Sequence, residues 1–71
     1  MSNQTNNNVI LIKNILKEWD KELPDSIITY MATNIQNKNI LPAVNKIITF
    51  LELTKISPKK VDFKNFFKEF S

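Results

Sequence analysis

Apolar residues recur every three or four positions along most of this chain, and polar residues fill the intervals between them. Such spacing places the apolar side chains on one face of an α-helix. Prolines and polar stretches interrupt the pattern three times. We therefore predict an all-α fold, a small four-helix bundle with helices over about residues 9–22, 24–36, 40–54 and 62–70 and no strand.

The first predicted helix follows a polar opening, residues 1–8, which we interpret as a disordered tail. We expect Asn8 to cap the helix and residues 9–71 to form one helical domain. Lys13, Lys17 and Lys21 lie four apart on the polar side. The predicted core face consists of Val9, Ile12, Ile15, Leu16, Trp19 and Leu23.

In the second predicted helix, Pro24 takes the first helical position and Asp25 complements the helix dipole. Its predicted apolar stripe is Ile27, Ile28, Met31 and Ile35, with Tyr30 at the edge. The third helix is predicted to start after Asn39 as N-cap, with Pro42 as its third residue. It is apolar almost all round and is therefore expected to be central. The positions concerned are Ile40, Leu41, Val44, Ile47, Ile48, Phe50, Leu51 and Leu53.

Ser57-Pro58 marks a loop before the last predicted helix. Asp62 is its predicted N-cap, with Val61 and Phe66 placed for a hydrophobic staple. We expect the four Phe rings of this helix to be core, since a chain this small needs them. They are Phe63, Phe66, Phe67 and Phe70, and Lys60, Lys64 and Lys68 lie opposite. A single core of this size is marginal without staples, so the predicted state is a monomer or a weak homodimer sharing the Phe face.

The chain contains no Gly, His, Cys or Arg. These absences argue against a Gly-rich phosphate loop, a His-dependent nucleophile and a zinc site of the usual ligands. We predict no catalytic, cofactor-binding or metal-ligating residue, and we expect no enzyme. An acidic cluster, Glu18, Asp20, Glu22 and Asp25, is interpreted as solvated surface charge.

Ten lysines against seven acidic residues give a net charge of +3. No apolar run approaches the roughly 20 residues that a membrane span needs, and no disulfide framework exists, so we expect a cytoplasmic protein without a membrane partner. The two lysine stripes fit a solvated helix face. They also fit a nucleic-acid contact through Lys60, Lys64 and Lys68, if the first and last helices lie side by side.

The segment from Glu22 to Ile35, with its Leu23-Pro24-Asp25 start, resembles the second helix of the C-terminal AAA+ lid subdomain in bacterial replication initiators of the DnaA type. The similarity extends over about residues 9–70 in the number, length and order of helices. Ending after the fourth helix resembles the shorter DnaA-related regulator Hda. The resemblance implies a stand-alone lid whose partner is another protein, a DnaA-type ATPase.

In that family an Arg at the start of the third helix reaches the nucleotide phosphates, and Lys38 falls on this position. Lysine binds phosphate as a point charge and lacks the forked contact of Arg. The resemblance therefore implies a protein-interaction module acting in or on DNA replication initiation, and no ATP binding by this chain alone. Two alternatives stay open: a small Lys-rich phage- or plasmid-like protein that binds nucleic acid, and an inhibitor- or immunity-type bundle.

Overall fold

The computed structural model describes the backbone of residues 3–70 and the side chains of residues 5–70. Three helices, α1 (Asn3–Trp19), α2 (Asp25–Asn34) and α3 (Asn37–Thr54), precede a short helix α4 (Phe63–Phe66). Single 3₁₀ turns lie on either side of α4, at Pro58–Lys60 and Lys68–Phe70. Residues 3–70 contain no strand, which confirms the prediction of a small all-α bundle.

The core forms where α1, α2 and α3 pack on one another, with α1 against α2 as the largest contact. Its side chains are almost all aliphatic, and burying them removes apolar surface from water. Most of the predicted core positions in α1 and α2 are buried, while Val9, Trp19 and Tyr30 are half-buried. The buried apolar set is Ile12, Ile15, Leu16, Leu23, Ile27, Ile28, Met31, Ala32, Ile35, Ile40, Ala43, Val44, Ile47, Ile48 and Phe67.

The start of α1 differs from the prediction, because the helix begins at Asn3 and residues 3–8 are helical instead of a disordered tail. Met1 and Ser2, the rest of that predicted tail, lie outside the described residues. Asn8 is therefore not an N-cap. Its side chain is only 2% exposed, donates to the Ala32 carbonyl over 3.2 Å and accepts from Asn37 Nδ2 over 3.0 Å. These tertiary bonds explain how an Asn-rich segment with poor helix propensity is held in a helix.

The end of α1 is a Schellman turn built without glycine, three residues before the predicted end. Asp20 is in the left-handed region at φ 57°. Its backbone N–H donates to the Lys17 carbonyl, and that of Lys21 donates to the Leu16 carbonyl over 2.8 Å. This is the paired bonding of a Schellman motif, and Asp tolerates the left-handed conformation better than most residues.

The starts of α2 and α3 also differ from the prediction. Pro24 is the N-cap of α2 and not its first helical residue. Gln36, without a side-chain cap hydrogen bond, precedes α3, so Asn39 lies within the first turn and Pro42 is the sixth residue. Pro42 is exposed. A proline this far inside a helix leaves the carbonyl four residues earlier without its usual amide partner.

The helix α3 packs against both α1 and α2 but is not buried all round, which corrects the prediction for two of its leucines. Leu41 is 54% exposed and Leu53 is 79% exposed. Both belong to one stripe of residues spaced four apart, and that stripe faces solvent. The stripe is Leu41, Asn45, Thr49 and Leu53, all exposed.

The predicted helix over residues 62–70 is instead broken into α4 and a 3₁₀ turn. Phe67 ends α4 at φ −98° and ψ 12°, outside the helical region, and its ring is completely buried. Asp62 is at the N-cap, but its carboxylate accepts from Asn65 Nδ2 and from no backbone N–H. Phe63, Phe66 and Phe70 pack against the core while half-buried. A short aromatic-rich segment has little helix stability of its own, so side-chain packing decides its backbone.

Candidate interaction surface

An apolar groove of about 430 Å³ lies between the second half of α3 and the chain that follows it. Phe50 of α3 forms one side, while Ile56, Val61 and Phe66 contribute from the C-terminal segment. Ile56 is 41% exposed, and the other three side chains are half-buried. Lys46, Lys60, Asp62 and Asn65 line its edges.

A reversal of the chain at the end of α3 places the following residues beside α3, where they form one side of this groove. Lys55 is the C-cap in the left-handed region at φ 60°, and its N–H donates to the Leu51 carbonyl over 2.9 Å. The Thr54 hydroxyl donates to the Phe50 carbonyl over 2.8 Å and accepts from the Ile56 N–H over 3.3 Å. The chain thus reverses at once, and Ile56 comes to lie beside Phe50.

Aromatic contacts connect the groove to the core. The Phe66 ring meets the Phe50 ring edge to face, with centroids 4.9 Å apart, and meets the Phe67 ring at 5.0 Å. The buried Phe67 ring in turn stacks on Tyr30 at 6.1 Å. Phe66 is thereby fixed at a point where one part of its surface is packed and another remains accessible.

Lys46 fastens the C-terminal end of the chain to α3. Its Nζ lies 2.7 Å from the Glu69 carboxylate, 4.9 Å from the Phe66 ring centroid and 5.6 Å from that of Phe70. The Asn39 side chain also donates to the Phe70 carbonyl over 3.4 Å. The charge of Lys46 is therefore already neutralised by a partner within the chain.

The segment that leads from α3 to the groove, residues 55–60, carries Lys55, Lys59 and Lys60 and no acidic residue. All three lysines are exposed, and none of them forms an ion pair within residues 5–70. Lys60 lines the groove itself. The one carboxylate at this edge, that of Asp62, accepts from Asn65 Nδ2 over 2.7 Å.

The predicted nucleic-acid residues do not form one stripe on one helix. Lys60 lies in the 3₁₀ turn at the groove, Lys64 in α4 and Lys68 in the last 3₁₀ turn. All three are exposed. The main packing partners of α1 are α2 and α3, so the first helix does not pack along the last one in the way that a joined lysine surface would require.

The other lysine stripe, Lys13, Lys17 and Lys21, is exposed along α1 and the turn after it. Lys21 forms an ion pair with Glu52 of α3. The hydrogen bond that the Lys21 ammonium donates to this carboxylate, together with the carboxylate's charge, raises the pKa of Lys21 above its ordinary value of 10.5. The pair ties the α1–α2 connection to α3.

Lys38, at the position that the resemblance links to phosphate, is the second residue of α3 and is exposed. The carboxylates of the acidic cluster, Glu18, Asp20, Glu22 and Asp25, are also exposed. Among the described side chains no three acidic residues converge in a way that could hold a metal ion.

The groove is not among the features predicted from the sequence, although Ile56 could have indicated it. This isoleucine stands alone among polar residues in the predicted loop, next to lysines and before Pro58. A loop position has no periodicity from which burial or exposure can be read. Phe50, Val61 and Phe66 were interpreted only as core or staple.

No protein-family model, curated protein or solved structure matches this chain. The helices within the described part of the chain are too short or too polar to cross a membrane. The fold class, a small all-α bundle, and the geometry of its surface are thus the basis for any functional proposal.

Proposed function

We propose that this chain is a non-catalytic helical module that acts by binding another protein, resembles a stand-alone DnaA/Hda-type lid and works in or on DNA replication initiation. The observation that carries the proposal of protein binding is the groove, where Ile56 and parts of two Phe rings remain accessible beside a closed core. A concave surface with aromatic side chains in its wall can receive an apolar anchor residue of a partner protein.

The link to replication depends on the resemblance. It rests on the Leu23-Pro24-Asp25 start of α2 and on the order of helices before and after it. In initiators of the DnaA type, neighbouring subunits pack through lid and base surfaces. A free lid with a similar arrangement of helices would compete with or cap such an assembly.

A binding measurement with the initiator of the same organism tests this function. We expect native mass spectrometry of the mixed proteins at micromolar concentration to detect a complex. If the two proteins remain separate under these conditions, the proposed role in replication initiation is wrong, while the fold is unaffected.

The second candidate function is nucleic-acid binding, which four exposed lysines in the C-terminal part of the chain favour: Lys55, Lys59, Lys60 and Lys64. Binding of this type releases counterions, so affinity falls steeply with salt. Replacement of Lys60, Lys64 and Lys68 by Gln is expected to reduce the salt slope. An unchanged slope, or no binding of duplex or single-stranded DNA at any salt concentration, would reject this candidate.

A further inference from the structure

We propose that the groove between α3 and residues 56–66 is the docking surface of this protein, and that its occupant is an amphipathic segment of a partner protein carrying carboxylates. This inference rests on the proposed function, since it names the surface and the partner chemistry of a protein-interaction module. It does not depend on the identity of the partner.

The apolar part of the argument is the position of the accessible side chains. Single exposed apolar residues, such as Ile10 at 57%, are ordinary on protein surfaces. Phe50, Ile56, Val61 and Phe66 instead line one concave surface. Phe50 and Phe66 also line a second, neighbouring hollow, together with Pro42 and Thr49. A partner segment can therefore place successive apolar side chains along one direction.

The charge around the groove selects the partner. Lys60 lines the groove and forms no ion pair within residues 5–70, and Lys55 and Lys59 lie in the same unpaired segment. A segment with carboxylates beside its apolar residues would neutralise these charges, whereas a basic segment would be repelled.

The acidic groups near the groove favour a peptide segment over nucleic acid. Asp62 lines the same groove as Lys60, and Glu69 already forms an ion pair with Lys46. A nucleic-acid strand carries one negative charge at every nucleotide and would bring phosphates near these carboxylates. A peptide can place a carboxylate opposite Lys60 and an apolar or neutral residue beside Asp62.

The probe for the test is a pair of synthetic 16-residue helical peptides with Leu and Phe at positions i, i+3, i+4 and i+7. One peptide carries Glu at two positions beside this apolar face and Gln at the other positions, and the second peptide carries Lys in place of both Glu residues. We expect the Glu peptide to bind at least about tenfold more tightly than the Lys peptide. In amide NMR spectra of the full chain, the shifts should concentrate at residues 50, 56, 61 and 66.

Two matched pairs of variants locate the binding. Ile56→Glu should reduce the affinity of the protein for the Glu peptide by about tenfold or more. Ile10→Glu, the same change at an exposed position on α1, should change this affinity by less than about twofold. Lys60→Gln should reduce the affinity for the Glu peptide by about two- to fivefold, whereas Lys13→Gln should leave this affinity unchanged. Circular dichroism establishes that each variant is folded, and all four positions are exposed.

The inference is overturned if the Glu peptide does not bind, if both peptides bind equally, or if Ile56→Glu and Ile10→Glu behave alike. Displacement of the Glu peptide by a single-stranded oligonucleotide, with shifts at the same residues, would favour nucleic acid and also overturn it. An initiator complex that Ile56→Glu leaves intact would reject the groove but keep the proposed function. If the Glu peptide binds at the groove but no complex forms with the initiator, the proposed function is rejected and the groove as a docking surface is kept.

Discussion

The two parts of this molecule are built differently. The first, α1 to α3, consists of long helices whose core is aliphatic and fully enclosed. The second, residues 55–70, consists of single turns and a four-residue helix, and its aromatic rings are half-buried apart from that of Phe67. The first part supplies the enclosed core, and the second supplies Ile56, Val61 and Phe66, which line the groove with Phe50 of α3.

The comparison shows how a small chain can have both a core and a binding surface. Long aliphatic helices bury one apolar face against each other, and the apolar side chains that α1 and α3 leave exposed, those of Ile10, Leu41 and Leu53, lie outside that face. Short turns cannot do this, so their rings are fixed by a few contacts, to Phe67, Tyr30 and Lys46. Substitutions in each part show whether the two parts also differ in their contribution to the free energy of unfolding.

The largest expected effect is that of Phe67→Ala, because Phe67 is the one fully buried side chain of the second part. Removing a buried Phe costs about 3–5 kcal/mol. We expect a loss of this size in the free energy of unfolding, measured by urea denaturation. Phe70→Ala, at a half-buried ring, should cost clearly less, and equal losses would contradict the anchoring role of Phe67.

Asn8→Ala tests the polar junction of the first part. It removes the partner of the Ala32 carbonyl and of the Asn37 side chain. Leaving the carbonyl of the buried Ala32 without a partner costs about 1–3 kcal/mol, whereas the amide of the exposed Asn37 can bond to water. Asn14→Ala, at an exposed position of the same helix, should change the free energy of unfolding by less than about 0.5 kcal/mol. If the two variants are equally stable, the buried network contributes nothing.

Lys55→Gly tests the reversal that separates the two parts. Glycine adopts a positive φ without the steric cost of a side chain, and we expect a gain of about 0.5–1 kcal/mol in the free energy of unfolding. Lys13→Gly, at a helical position of α1, should instead lower the free energy of unfolding by about 1 kcal/mol, because glycine is unfavourable inside a helix. A destabilised Lys55→Gly variant would contradict the assigned left-handed cap.

The smallest effect is expected at the Lys21–Glu52 pair, which is exposed to solvent. Because Glu52 raises the pKa of Lys21 in the folded state, the pair stabilises fully below the ordinary pKa of 10.5 and loses this contribution as pH rises through the raised pKa. The difference in the free energy of unfolding between wild type and Lys21→Gln should therefore narrow as the pH rises above about 10.5. In a Glu52→Gln background the same substitution should show no such narrowing. A constant difference in the wild-type background would show that the pair has no energetic role.

The class of fold and most of the core could be predicted from the sequence, because periodicity records which face of a long helix is buried. Leu41 and Leu53 were assigned wrongly, although the stripe that they share with Asn45 and Thr49 would have indicated exposure. Asn8 was missed because Asn favours caps, although it lies four residues before Ile12 and therefore on the buried face.

The break in the last predicted helix could not be read from its pattern. Phe63, Phe66, Phe67 and Phe70 have helical spacing, but in a segment this short the backbone follows the packing of the rings. The groove depends on the same packing and on the left-handed turn at Lys55. A tertiary arrangement of this kind leaves no periodic pattern in the sequence, and its one local signal is Ile56, an apolar residue alone in a polar loop.

Amide hydrogen exchange along the whole chain tests the division into two parts most directly. We expect the slowest amides at buried positions of α1, α2 and α3, such as Ile12, Ile28 and Ile47, with exchange governed by global unfolding. Amides of residues 55–62 should exchange at least about tenfold faster, because their segment opens locally. Uniform protection across both parts, or slower exchange in residues 55–62 than in the three helices, would contradict the account.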